Sequence, residues 1–134
     1  YEFIIGKAIK LTEGDDVTII ATGTMVYTAL QAAKKLQEVG ISAEVIDMHT
    51  IKPLDEDSVL NCSGKAIVTL EEHSIIGGLG SAVNDCLIKA DNKKPCLNLG
   101  LSDEYKHAAD YTFLLSSYGL DVDTITNKIS SFLR

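Results

Sequence analysis

Proline and cysteine are scarce in this chain: 2 Pro and 3 Cys among 134 residues, alongside 10 Gly and no low-complexity stretch. So even a composition excludes a fibrous or linker-like polypeptide. Cys62, Cys86 and Cys96 are odd in number and widely spaced, with no C-x-x-C pair and no adjacent histidine to suggest zinc. Each stands among apolar neighbours, which reads as buried, reduced thiols of an intracellular protein. Fully apolar runs are short, at most six residues even with glycine counted, far short of the roughly 20 that a bilayer-spanning helix needs. No charged start leads into an apolar stretch, so no signal peptide is expected and the expected location is the cytoplasm. Basic residues are few, 12 Lys+Arg against 19 Asp+Glu, for a net charge of −7. An acidic chain without a basic run repels phosphate backbones, which excludes nucleic acid as a partner. Methionine is missing from the first position, where Tyr1 stands; the expectation is a piece of something longer.

What is present builds a core. Hydrophobic residues make up 46% of the chain, and a length like this buries about two-thirds of its unfolded surface in one domain. Ile4 to Leu11 reads as a first strand, followed by the turn at Thr12–Asp16. Val17–Ala21 is apolar and β-branched, as a strand buried on both faces should be. Gly23 breaks it, Thr24 is placed to cap the next helix, and Val26, Ala29, Leu30, Ala33 and Leu36 recur at helical spacing until Gly40. The pattern repeats with a strand at Ala43–Met48, a short helix from Asp55 to Leu60, a strand at Lys65–Leu70, and a helix carrying Leu79, Ala82, Val83, Cys86, Leu87 and Ala90. A strand at Cys96–Leu101, a short helix around Tyr111–Leu115 stopped by Gly119, and a helix capped by Asp121 complete it. Strands alternating with helices predict a three-layer α/β/α sandwich around a mostly parallel sheet.

Reactive constellations are missing. The loop Ala21–Met25 lacks G-x-G-x-x-G spacing, and its single glycine reads as a tight turn before a capped helix. In Glu71–Gly80 two glycines open a helix, yet Val83 holds the third glycine position of the dinucleotide fingerprint, and Glu71 and Glu72 would repel a pyrophosphate. Gly77, Gly78 and Gly80 then call for a closely approaching backbone, a partner surface or a positive φ. His73, flanked by carboxylates, reads as a loop or interface histidine, since no nucleophile lies near it in sequence. His49 and His107 stand alone, and Asp55, Glu56 and Asp57 complement a helix dipole.

Four segments carry a resemblance. Gly14–Gly23 (GDDVTIIATG), Asp47–Asp55 (DMHTIKPLD), Glu71–Val83 (EEHSIIGGLGSAV) and Tyr118–Asp121 (YGLD), in this order and across nearly the whole chain, closely resemble the C-terminal domain of transketolases. The resemblance implies a five-stranded sheet with one antiparallel edge strand. Residues 1–12 would be the end of an interdomain linker and the first edge strand, and residues 13–134 the domain itself. It implies a complete enzyme that transfers a two-carbon ketol unit between sugar phosphates in the pentose phosphate pathway, as a dimer, with thiamine diphosphate and magnesium or calcium. Those groups sit on N-terminal domains or an N-terminal subunit. This chain would supply no catalytic, cofactor-binding or metal-binding residue, and would be inactive alone. The candidate interface is the loop with Glu71, His73, Gly77, Gly78 and Gly80. Deoxyxylulose-phosphate synthase and the β subunits of 2-oxoacid dehydrogenases carry a similar domain, although the His73 form of the loop is more similar to transketolase. A free-standing regulatory domain would need a concave pocket with convergent polar groups.

Overall fold

The structure, a computed structural model, describes residues 2–102 and 110–134. Within them lie β1 (Ile9–Thr12), β2 (Val17–Ala21), α1 (Met25–Glu38), β3 (Ala43–Asp47), α2 (Glu56–Leu60) and β4 (Ala66–Ser74). They are followed by α3 (Leu79–Lys89), β5 (Cys96–Leu101), α4 (Tyr111–Ser117) and α5 (Val122–Phe132). The strands form one sheet in the order β1-β3-β2-β4-β5. β2, β3, β4 and β5 run parallel, and β1 pairs antiparallel with β3 at the edge. This is the five-stranded mixed sheet between helical layers that the resemblance implies.

Alternation along the strands divides the core. Val17, Ile19 and Ala21 of β2, with Val68 and Leu70 of β4, face Met25, Ala29, Ala32 and Leu36 of α1 and Ile125 and Ile129 of α5. Ile20, Ile46 and Ile67 point the other way, onto Val59 of α2 and Leu79, Val83 and Leu87 of α3. Val17–Ala21, buried on both faces, is apolar apart from Thr18, whose hydroxyl donates to the buried Glu44 carboxylate of β3 at 2.7 Å. Asp121 caps α5 by accepting the Thr124 N–H at 3.1 Å, and Gly40 (φ +84°) and Gly119 (φ +75°) follow helix ends as expected.

Two boundaries differ from the sequence reading. The first strand is Ile9–Thr12 rather than Ile4–Leu11, because Gly6 turns the chain at φ +82° and the Lys7 N–H bonds back to the Ile4 carbonyl at 3.0 Å. The strand expected to end at Leu70 continues to Ser74, after a register shift against β5. Glu71, Glu72 and His73 thus stand on a strand. His107 lies outside the described residues. Among the described residues, no helix is long and apolar enough to cross a membrane.

Candidate functional site

In open α/β sheets the loops at the carboxyl ends of the strands are where partners and ligands gather. Here that edge is organised by the extended end of β4. Side chains alternate along a strand, so Glu71 and Glu72 leave β4 on opposite faces. Glu71 turns under the start of α3, where its side chain is 1% exposed. Its Oε1 accepts the Leu79 N–H and its Oε2 the Gly80 N–H, both at 2.8 Å. A carboxylate at a helix N-terminus meets unpaired amides and the positive end of the dipole, so this buried charge is satisfied without a cation.

The glycines serve that arrangement from inside the chain. A Cβ on Gly78 would overlap the Glu71 carboxylate, and one on Gly80 would press on Asn98 at 2.9 Å. Gly77 adopts φ +80°, with open space where a side chain would go. Of the explanations open for these residues, positive φ applies to Gly77, and at Gly78 and Gly80 the close approach is intramolecular. Glu71, a member of the candidate interface loop, spends both oxygens on the start of α3. His73 is the outward-facing member, its side chain 66% exposed, with Nδ1 3.1 Å from the Ser74 carbonyl and 3.8 Å from Glu71 Oε1.

Glu72 serves the other side. Its Oε2 accepts the Thr24 hydroxyl at 2.6 Å and the Tyr111 hydroxyl at 2.8 Å, tying the starts of α1 and α4 to β4. Thr24 therefore does not cap α1 through its side chain, as expected from the sequence. The hydrogen bond to Glu72 holds the Tyr111 phenol above its ordinary pKa. Sequence reasoning missed Tyr111 and Asn98. Asn98 donates to Thr69 Oγ1 at 2.8 Å and accepts from Asn84 Nδ2 at 2.7 Å, locking α3, β4 and β5 together. A polar residue inside an otherwise apolar strand is the one signal that could have singled it out.

Carboxylates meet two of the helix starts at this edge. That of α3 is filled by the Glu71 carboxylate, and that of α1 is faced by Glu72. Among the described residues, no group of three His, Cys, Asp or Glu could hold a metal ion. A cavity of about 800 Å³ with Ile41, Lys65, Ser130 and Phe132 in its wall lies at the opposite, amino-terminal edge of the sheet.

What the carboxyl edge does present is apolar surface. Phe3, Ile4 and Ile5 are exposed beside the end of β3, where the Phe3 ring lies 4.2 Å from that of His49. Tyr27 is exposed in the first turn of α1, Ile75 and Ile76 beyond β4, and Tyr111 and Phe113 in the first turn of α4. Of the large exposed hydrophobics among the described residues, Val39 and Ile88 alone sit towards the other edge. Large exposed apolar side chains are thus concentrated at this edge of the sheet.

The transketolase C-terminal domain family model matches residues 6–125. A protein of Methanocaldococcus jannaschii described as a transketolase C-terminal section is 45% identical over 98% of this chain and 42% of its own length. A 6-deoxy-6-sulfo-D-fructose transketolase subunit of Clostridium sp. is 46% identical over 92% of this chain and 39% of its own. The 1-deoxy-D-xylulose-5-phosphate synthase of Chlorobium phaeovibrioides is 44% identical over 95% of this chain and 20% of its own. Among solved structures, a split-gene transketolase described as an inactive β4 tetramer superposes with a TM-score of 0.90 at 38% identity, covering 99% of this chain and 43% of that one. The chain thus spans well under half the length of these relatives. With its sheet order, its edge loop and nearly its whole length accounted for, the chain belongs to the transketolase C-terminal domain family.

Proposed function

We propose that this chain is the C-terminal section of a transketolase-type enzyme and that its task is assembly. It docks through the carboxyl edge of its sheet onto the N-terminal domains or subunit and contributes no catalytic residue. The complete enzyme transfers a two-carbon ketol unit between sugar phosphates as a cytoplasmic dimer, with thiamine diphosphate and magnesium or calcium held by the N-terminal part. Residues 1–12 act as linker end and edge strand, and residues 13–134 as the docking domain. The observation that carries this reading is the gathering of exposed apolar side chains on the edge where Glu71 and Glu72 already occupy the helix starts. Burial of such surface is what drives association.

The test is to combine the chain with the N-terminal part of a transketolase from the same organism, then measure complex formation by size-exclusion chromatography and ketol transfer from xylulose 5-phosphate. Activity should require both parts. Micromolar binding of thiamine diphosphate to this chain alone, by calorimetry, would overturn the reading. The identity to a deoxyxylulose-phosphate synthase supports a second reading as the same domain of that enzyme. Release of carbon dioxide from pyruvate by the reconstituted complex would favour it.

A further inference from the structure

Away from the docking edge, two turns at the amino-terminal side of the sheet meet through a lysine and a cysteine. Lys94, in the turn before β5, donates from Nζ to the Cys62 carbonyl at 2.7 Å, and the same Nζ lies 3.6 Å from Cys62 Sγ. Cys62, in the turn between α2 and β4, is almost fully buried, yet it lines a small surface cavity of about 290 Å³ with Lys10, Glu44, Asp57 and Asn61. The cavity admits a molecule as small as hydrogen peroxide. A thiolate is the species that attacks peroxide, and an ammonium touching the sulfur offsets its charge as it does so.

We propose that Cys62 and Lys94 are a peroxide-triggered modification site that closes into a covalent sulfenamide. The Cys62 thiolate attacks one peroxide oxygen, the O–O bond breaks, and Cys62 becomes a sulfenic acid while hydroxide departs. Hydroxide takes a proton from the Lys94 ammonium. The free amine then attacks the Cys62 sulfur, the S–O bond breaks, and the hydroxyl leaves as water with a proton from nitrogen. In sum, thiolate, ammonium and one peroxide give the S–N link and two waters; sulfur is oxidised and peroxide reduced. Sulfenic acids condense in this way with a nearby nitrogen, or with a thiol to give a disulfide. The competing thiols are Cys96, which packs against the same core cluster, and Cys86, which belongs to it with Cys62. Burial pushes the Cys96 thiol up to about 11 and also raises Cys86. Lys94 holds the contact position. The link would staple the turn before β4 to the turn before β5 on the side of the sheet that docking leaves open.

The experiment is peroxide treatment of the whole chain, followed by intact mass measurement and peptide mapping without reductant. The expected product has lost two hydrogens, joins the Cys62 peptide to the Lys94 peptide, and reverts with a thiol reductant. A disulfide loses the same mass, so the map and two variants decide. Cys96→Ser should retain the product, and Lys94→Arg should abolish it and leave Cys62 carrying oxygen. A link mapped to Cys96, a mass loss that survives Lys94→Arg, or wild-type protein in which Cys62 only gains oxygen or stays unmodified would overturn the proposal. The wild-type map alone suffices if a variant fails to fold.

Discussion

Glu71 stabilises the start of α3 from within, so its removal strands two buried amides. Hydrogen bonds to a charged acceptor are worth about 1.5–3 kcal/mol each when shielded. Glu71→Ala should lower the stability of the isolated chain by about 3 kcal/mol in urea unfolding, and Glu71→Gln, which keeps one acceptor, by less. Gly78→Ala or Gly78→Val should also destabilise the isolated chain, because the new Cβ displaces the Glu71 carboxylate. Glu44 gives a pH signature. Burial pushes its carboxyl up, but hydrogen bonds from the Thr18 hydroxyl, the Lys10 ammonium and the Ser63 N–H outweigh that and hold it below its ordinary value of 4.5. A carboxyl depressed by folding adds stability above its unfolded pKa and loses it as pH falls through the folded value. The urea midpoint should therefore fall on acidification below about pH 4.5, and fall less steeply in Glu44→Gln. The role of Glu71 is not legible in the sequence, since a glutamate before a glycine-rich helix start looks like any loop carboxylate until α3 folds back onto it. The exposure of His73 is not legible either, since two steps past Glu71 it shares that residue's face of β4, where alternation alone predicts burial.

At the scale of elements, α4 has no buried residue of its own, so its attachment depends on few contacts. The Tyr111–Glu72–Thr24 bonds are the polar part of that attachment. Tyr111→Phe combined with Thr24→Val should raise amide exchange across Tyr111–Ser117 by about tenfold or more, as the loss of one to two kcal/mol of local stability implies. Exchange in α1 and α3 should not change; equal acceleration everywhere would place the effect in the whole fold. The order of elements is legible because each strand and helix keeps its own period of hydrophobicity. The boundaries that fail have local causes. Gly6 interrupts an apolar run that otherwise reads as strand. Beyond Leu70 four polar residues in succession, Glu71 to Ser74, hide the continuation of β4, which ends paired again at Ser74↔Leu101. Thr24 looks like a cap by position, and a carboxylate from another element claims its hydroxyl.

For the whole molecule, the exposed apolar side chains are divided unequally between the two edges of the sheet. Ile76→Lys, Phe113→Asp and His73→Ala should each weaken association with the N-terminal part while leaving the melting temperature of the isolated chain within a degree or two, since exposed substitutions usually change stability by about 0.5 kcal/mol or less. Ile88→Lys on the other edge is the control and should leave association unchanged. If His73→Ala instead cuts turnover by orders of magnitude with association intact, His73 is catalytic. The pairing at the tip of β4 has a kinetic consequence. The Ser74↔Leu101 register and the Ile75 N–H bonded to the Leu101 carbonyl at 3.1 Å keep the projecting end of the strand anchored to β5. A surface already in its bound shape needs no ordering step on encounter. Stopped-flow mixing of the two parts should then give a single phase whose rate rises linearly with concentration, and cutting the anchor by Ile75→Pro should add a slow, concentration-independent phase.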